Sequence, residues 1–84
     1  MAFFVYILKS INYERFYVGS TQDLTQRLER HNQGRSKATK PYRPWQIVYV
    51  ETYQTRSEAV RRERQIKNRK SSEFINQLVQ SQSV

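Results

Sequence analysis

Hydrophobic and polar positions follow two different periods along the chain, and the switches between them mark its elements. Ala2 to Lys9 (AFFVYILK) is dense in β-branched and aromatic residues, and after Asn12-Tyr13-Glu14 a second such run follows from Arg15 to Gly19 (RFYVG). That pattern predicts a β-hairpin. Ser20 or Thr21 is placed to cap a helix over about residues 22–33, whose Leu24 and Leu28 lie one turn apart and whose end Gly34 marks. A basic polar stretch, Arg35 to Pro44, separates it from Trp45 to Tyr53 (WQIVYVETY), which predicts a third strand. Thr55-Arg-Ser-Glu58 is a capping box opening a helix over about residues 56–69, and Ser71 or Ser72 starts a short last helix with Phe74, Leu78 and Val79 on one side. The order is ββαβαα. Helices must cover one side of so small a sheet, so the expected class is α+β with a three-stranded antiparallel sheet flanked by helices. Gln80 to Val84 reads as a frayed polar tail.

At 84 residues the expectation is a single domain with a small core spanning about residues 3–79. A large enzyme with a deep cofactor cleft is excluded. A charged fraction of 26% leans toward disorder, but 37% hydrophobic and 13% aromatic residues offset the chain entropy, so the chain should fold. With no Cys there is no disulfide framework, thiolate cluster or thiol nucleophile, which points to a reduced, cytoplasmic setting. The apolar run Met1 to Leu8 is too short to span a bilayer and lacks the flanks of an export signal.

Charge narrows the partner. Lys and Arg number 15 against 7 Asp and Glu, a net charge of +8, with the excess concentrated between Arg56 and Lys70. A polyanion is one reading, and a solvated helix face is the other.

Several residues sit awkwardly in a purely structural account. Ala59, Glu63 and Ile66 fall at i, i+4 and i+7, which puts a carboxylate on the core-directed face of the 56–69 helix. Either an internal ion pair with a basic neighbour or a metal-ligand role explains it, because Mg²⁺ needs only one or two protein carboxylates besides water and phosphate. Arg27 and His31 stack four apart beside the Leu24/Leu28 stripe, a fork for phosphate oxygens next to a group that exchanges protons near neutral pH. Tyr6 and Tyr17 place polar tips on the hairpin. The remaining tyrosines and Trp45 are scattered without the layout of a base-stacking platform.

Taken together, Val5-Tyr6-Ile7, Tyr17-Val18-Gly19, Arg27 with His31, and Ala59 to Glu63 followed by Ile66-Lys67 resemble the GIY-YIG nuclease domain over roughly residues 3–70, nearest to its small single-domain bacterial members. Phe4 stands where the family's opening glycine would fall, and Val18 replaces the second isoleucine. Asn68 and Asn76 match a late asparagine of larger relatives by type only and take no role here. The resemblance implies a metal-dependent DNA endonuclease, structure- or repair-directed. Glu63 would hold one Mg²⁺ or Mn²⁺ on the scissile phosphate, and Arg27 would bind that phosphate. Tyr6 would be general base with Tyr17 orienting water or phosphate, or the reverse, and His31 would accept the phenolic proton. Gly19 would let backbone approach the strand end. Arg35, Lys37, Lys40, Arg43, Arg61, Arg62 and Lys67 would grip the nucleic-acid backbone, DNA first and RNA not distinguished.

Two rivals remain at this stage, a nucleic-acid-binding module without turnover and a protein-interaction module with a basic face. An inward carboxylate favours the nuclease, because a binder needs only positive charge. Relatives often carry a separate targeting domain, for which 84 residues leave no room. A partner protein could then supply targeting.

Overall fold

Three antiparallel strands form the sheet, with β1 (Phe3–Ser10) in the middle, β2 (Phe16–Thr21) at one edge and β3 (Trp45–Tyr53) at the other. Helices α1 (Leu24–Asn32), α2 (Arg56–Arg69) and α3 (Ser72–Gln82) complete the predicted ββαβαα order in this computed structural model, which describes residues 1–82. No described helix is long and apolar enough to cross a membrane.

Both faces of the sheet are covered, where the sequence requires only one. Val5 and Ile7 pack with Val18, Tyr49, Ala59 and Ile66 beneath α2 and α3, while Tyr6 and Leu8 pack with Trp45, Leu24 and Leu28 beneath α1. This explains why the middle of β1 is apolar at every position instead of alternating: Val5, Tyr6, Ile7 and Leu8 are all buried. A one-residue register shift in the β1–β3 ladder leaves Val48 as the extra residue, since Ile7 pairs with Tyr49 and Leu8 with Ile47. The bulge switches faces, so Trp45 and Ile47 serve the α1 side while Tyr49 serves the α2 side.

The caps follow the sequence in two helices out of three. Thr55 accepts from the Glu58 amide at 3.2 Å and its hydroxyl donates to Glu58 Oε1 at 2.9 Å, and Ser71 accepts from the Phe74 amide at 3.2 Å. Helix α1 is capped by Asp23, not by Ser20 or Thr21: its Oδ1 accepts from the Gln26 amide at 2.9 Å. Ser20 and Thr21 instead extend β2. Helix α3 continues through Gln80 to Gln82, inside the segment expected to fray, and the Gln82 amide bonds both Val50 N (3.2 Å) and Val50 O (2.6 Å). Residues 83 and 84 of that segment lie outside the described residues.

Candidate active site

The β1–β2 ladder places Tyr6 opposite Gly19 and Leu8 opposite Tyr17, so the two phenols share the α1-facing side, with ring centroids 6.4 Å apart. Helix α1 adds His31, whose ring centroid lies 4.8 Å from Tyr17 and 6.2 Å from Tyr6. His31 Nε2 is 3.2 Å from the Tyr6 hydroxyl and its Nδ1 is 2.8 Å from Thr39 Oγ1. Arg27, one turn earlier, draws the proton affinity of the Tyr6 phenol down. From the other face of β2, Ser20 donates to Glu63 Oε1 at 2.7 Å, while Lys67 donates to Glu63 Oε2 at 2.7 Å. The Lys67 ammonium also lies 5.7 Å from the centre of the Tyr17 ring. Because β2 is an edge strand, side chains from opposite sides of the sheet meet around it.

Gly19 is required here for a side chain, where the sequence suggested a backbone approach. A Cβ at that position would lie 2.5 Å from the Tyr6 hydroxyl and 2.7 Å from its Cζ, so only glycine lets the phenol lie flat across β2.

Electrostatics set the resting proton positions. Burial, reinforced by Tyr17 and Glu63, pushes the Tyr6 phenol well above its ordinary range against the opposing pull of Arg27. Burial together with the charges of Arg27 and Arg30 pulls His31 below 6.5. At neutral pH the pair is therefore a phenol beside a neutral imidazole.

The predicted phosphate-gripping residues divide. Arg35, Lys37, Lys40, Arg43 and Arg61 are exposed. Arg35 lies on a cleft of 330 Å³ with Arg27 and Arg30, and Arg61 lines the outer face of α2 with Arg56 and Arg64. Lys67 belongs to the site itself through Glu63. Arg62 is turned away: its Nε and Nη2 donate to Glu51 at 2.9 and 3.1 Å, and Glu51 also accepts from Tyr49 and, at 2.6 Å, from Tyr53. Burial of this carboxylate is outweighed by its Arg62, Tyr49 and Tyr53 hydrogen bonds, which hold it below the usual range. Arg62 thus ties α2 to β3 through Glu51.

A family model of the GIY-YIG catalytic domain matches residues 2–77. The chain belongs to the GIY-YIG family. The chain is 46% identical over 65 residues to UPF0213 proteins of Staphylococcus aureus strains Mu3 and N315, a match covering 76% of this chain and 78% of each of theirs. It also resembles the solution structure of a UPF0213 protein from Bacillus halodurans, with a TM-score of 0.60, 30% identity and coverage of 98% of this chain and 86% of that one. Membership makes this a nuclease fold, with nucleic acid as the substrate class. Its departures from the GIY-YIG pattern are accommodated. Val18 is buried among Val5, Ile7, Ala59 and Ile66, where a branched aliphatic group fills the space, and Phe4 pairs with Thr21 near the open end of the hairpin.

The sequence reading missed two residues of this GIY-YIG site. Ser20 carries the signal of following Gly19 on a strand, so it points to the opposite face, toward α2. Thr39 carries none, because it arrives from an irregular loop. Among the described residues no three His, Cys, Asp or Glu side chains gather as a metal cluster. Glu63 is the acidic group at the site, its side chain 18% exposed, and its Oε2 already faces a cation in Lys67. A single carboxylate, with Ser20 on one oxygen and Lys67 on the other, suits a largely hydrated divalent ion that displaces Lys67, not a fully protein-ligated one.

Proposed function

We propose that the chain is a metal-dependent endonuclease that hydrolyses phosphodiester bonds in DNA. The observation that carries this reading is the convergence at the β2 edge of a phenol–imidazole pair, a guanidinium and a half-buried carboxylate. A cleft of 240 Å³ opens beside them, with Ser20, Arg27 and Arg56 in its wall. Arg56 also lies on the outer face of α2 with Arg61 and Arg64, so positive charge continues from the cleft along the helix. A passive binding surface would have no use for an inward carboxylate.

Glu63 would hold Mg²⁺ or Mn²⁺, displacing Lys67, and the ion when bound supplies charge neutralisation on the phosphate and its leaving oxygen. Arg27 binds a non-bridging oxygen of the scissile phosphate and meets the charge that grows there. Tyr6 takes a proton from the attacking water as its own phenolic proton passes to His31 Nε2. The new P–O bond forms as the bond to the 3′ oxygen breaks, and that oxygen leaves protonated by solvent. This route matches the high proton affinity of Tyr6, because the phenol never has to rest as a phenolate. A second assignment exchanges the tyrosines, favoured by the greater exposure of Tyr17.

The test incubates the protein and a Glu63→Ala variant with linear, nicked and branched DNA, and with RNA, in Mg²⁺ or Mn²⁺. Cleavage by the wild type alone supports the reading. Binding without cleavage by both favours the non-catalytic module, and loss of all salt-sensitive binding favours a protein partner. A Tyr6→Phe loss of about 10²–10⁴-fold beside a mild Tyr17→Phe effect assigns the base to Tyr6.

A further inference from the structure

We propose that Thr39 is a positioning residue for this hydrolysis: its hydroxyl, acting as acceptor, holds His31 in the tautomer whose bare Nε2 faces Tyr6. The catalytic half rests on the nuclease reading above, and the tautomer half stands on geometry alone.

His31 and Thr39 are 2% and 1% exposed, so water does not compete for either ring nitrogen. The Thr39 hydroxyl has one proton, which can turn either to the Ser36 carbonyl, 3.5 Å away and already accepting from the Thr39 and Lys40 amides, or to His31 Nδ1 at 2.8 Å. Turned to Ser36, it leaves a lone pair on Oγ1 for Nδ1, which then carries the hydrogen. The other end of the ring decides between them. The Tyr6 hydroxyl is buried, and His31 Nε2 at 3.2 Å is the acceptor within reach of its proton. In the opposite tautomer Nε2 would donate to the phenol oxygen. Among the described residues the proton of Tyr6, 1% exposed, would then have no acceptor.

Thr39 is itself fixed from several sides. Its carbonyl accepts from Trp45 Nε1 at 2.8 Å and from the Tyr42 amide at 3.1 Å, and its amide donates to Ser36 O at 3.2 Å. Asn32, next to His31, clamps Trp45 in turn, donating to its carbonyl at 3.1 Å and accepting from its amide at 2.7 Å. The loop after α1 is thereby tied to the same helix that carries the histidine. A bare Nε2 facing the phenol is the state a proton acceptor needs, and the opposite tautomer has no lone pair there to receive it.

The experiment records ¹⁵N side-chain spectra of His31, the chain's single histidine, at about pH 8, above the ordinary imidazole range. Cleavage kinetics are measured alongside for wild type, Thr39→Val and Thr39→Ser. A pyridine-type Nε2 and pyrrole-type Nδ1 are expected in the wild type. Thr39→Val, which keeps the shape but removes the acceptor, should lose that pattern and lower kcat about 10- to 100-fold with DNA affinity unchanged. Thr39→Ser should restore both, and its recovery separates positioning from misfolding. A pyrrole-type Nε2 in the wild type overturns the proposal, as does a Val variant with the wild-type spectrum. An altered spectrum at undiminished kcat overturns its catalytic half. A wild type inactive on every substrate defeats the nuclease reading and leaves the tautomer to be decided by the spectra.

Discussion

Gly19 faces Tyr6 across the β1–β2 ladder, and a methyl group there would come within 2.5 Å of the phenol oxygen. Gly19→Ala must push the ring off the strand, away from His31. Overpacking of this kind costs about 1–3 kcal/mol, so urea unfolding should report a loss of that order, together with reduced turnover. An unchanged midpoint with full activity would mean that the ring has room to move. His31 supplies a second expectation. Its folded pKa lies below its unfolded value near 6.5, so in that window the unfolded chain binds the extra proton. Stability contributed by neutral His31 is therefore complete above about pH 6.5 and is lost as pH falls below it. Urea midpoints taken from about pH 8 down to 5 should decline in the wild type and stay flatter in His31→Gln; parallel declines would rule out His31 as the group responsible. The motif positions were legible because they share spacing with a family pattern. Thr39 was not, because a loop threonine earns its role only when the fold brings it to a particular ring nitrogen.

Helix α2 is secured to the sheet by Glu51, whose side chain is 15% exposed and receives Arg62, Tyr49 and Tyr53 together. Tyr53 is pushed up to about 12 by its burial and this carboxylate. Removing the guanidinium with Arg62→Met leaves the acid facing two phenols. The expected loss is about 2–4 kcal/mol near neutrality, toward the range for breaking a buried pair but softened by partial exposure. The folded pKa of Glu51 is depressed, so its stabilisation is present above the unfolded value and disappears as pH falls through the folded one. The gap between wild type and Arg62→Met in chemical denaturation should accordingly narrow in acid; a constant gap would show that charge pairing is not its source. Among the elements, periodicity revealed every described strand and α-helix, but not the short 3₁₀ turn at Lys40–Tyr42 inside the stretch read as a polar connection. It could not reveal the bulge at Val48, because WQIVYVETY alternates equally well with or without a skipped residue. Nor could it select Asp23 over Ser20 and Thr21, since all three side chains accept from an amide and only the end of β2 decides between them.

At the scale of the molecule, α1 and α2 cover opposite faces of one sheet, and the cleft at the end of β2 takes its walls from both. Charge alone could not show which cations serve it. Arg61 and Arg62 are neighbours in sequence and equivalent in composition, yet Arg62 is spent on Glu51 while Arg61 stands exposed beside Arg56 and Arg64. Each phosphate contact releases condensed counterions, so a plot of log affinity against log salt has a slope of about −0.9 per contact for duplex DNA. Arg61→Ala should therefore flatten that slope by about one contact. Arg62→Ala, measured where the variant remains folded, should leave it unchanged, since the wild-type guanidinium already neutralises a protein carboxylate. Fluorescence anisotropy over a salt series with one labelled duplex distinguishes the two. Equal flattening by both substitutions would mean that Arg62 abandons Glu51 when DNA binds, and the division between anchoring and phosphate-binding arginines would fall.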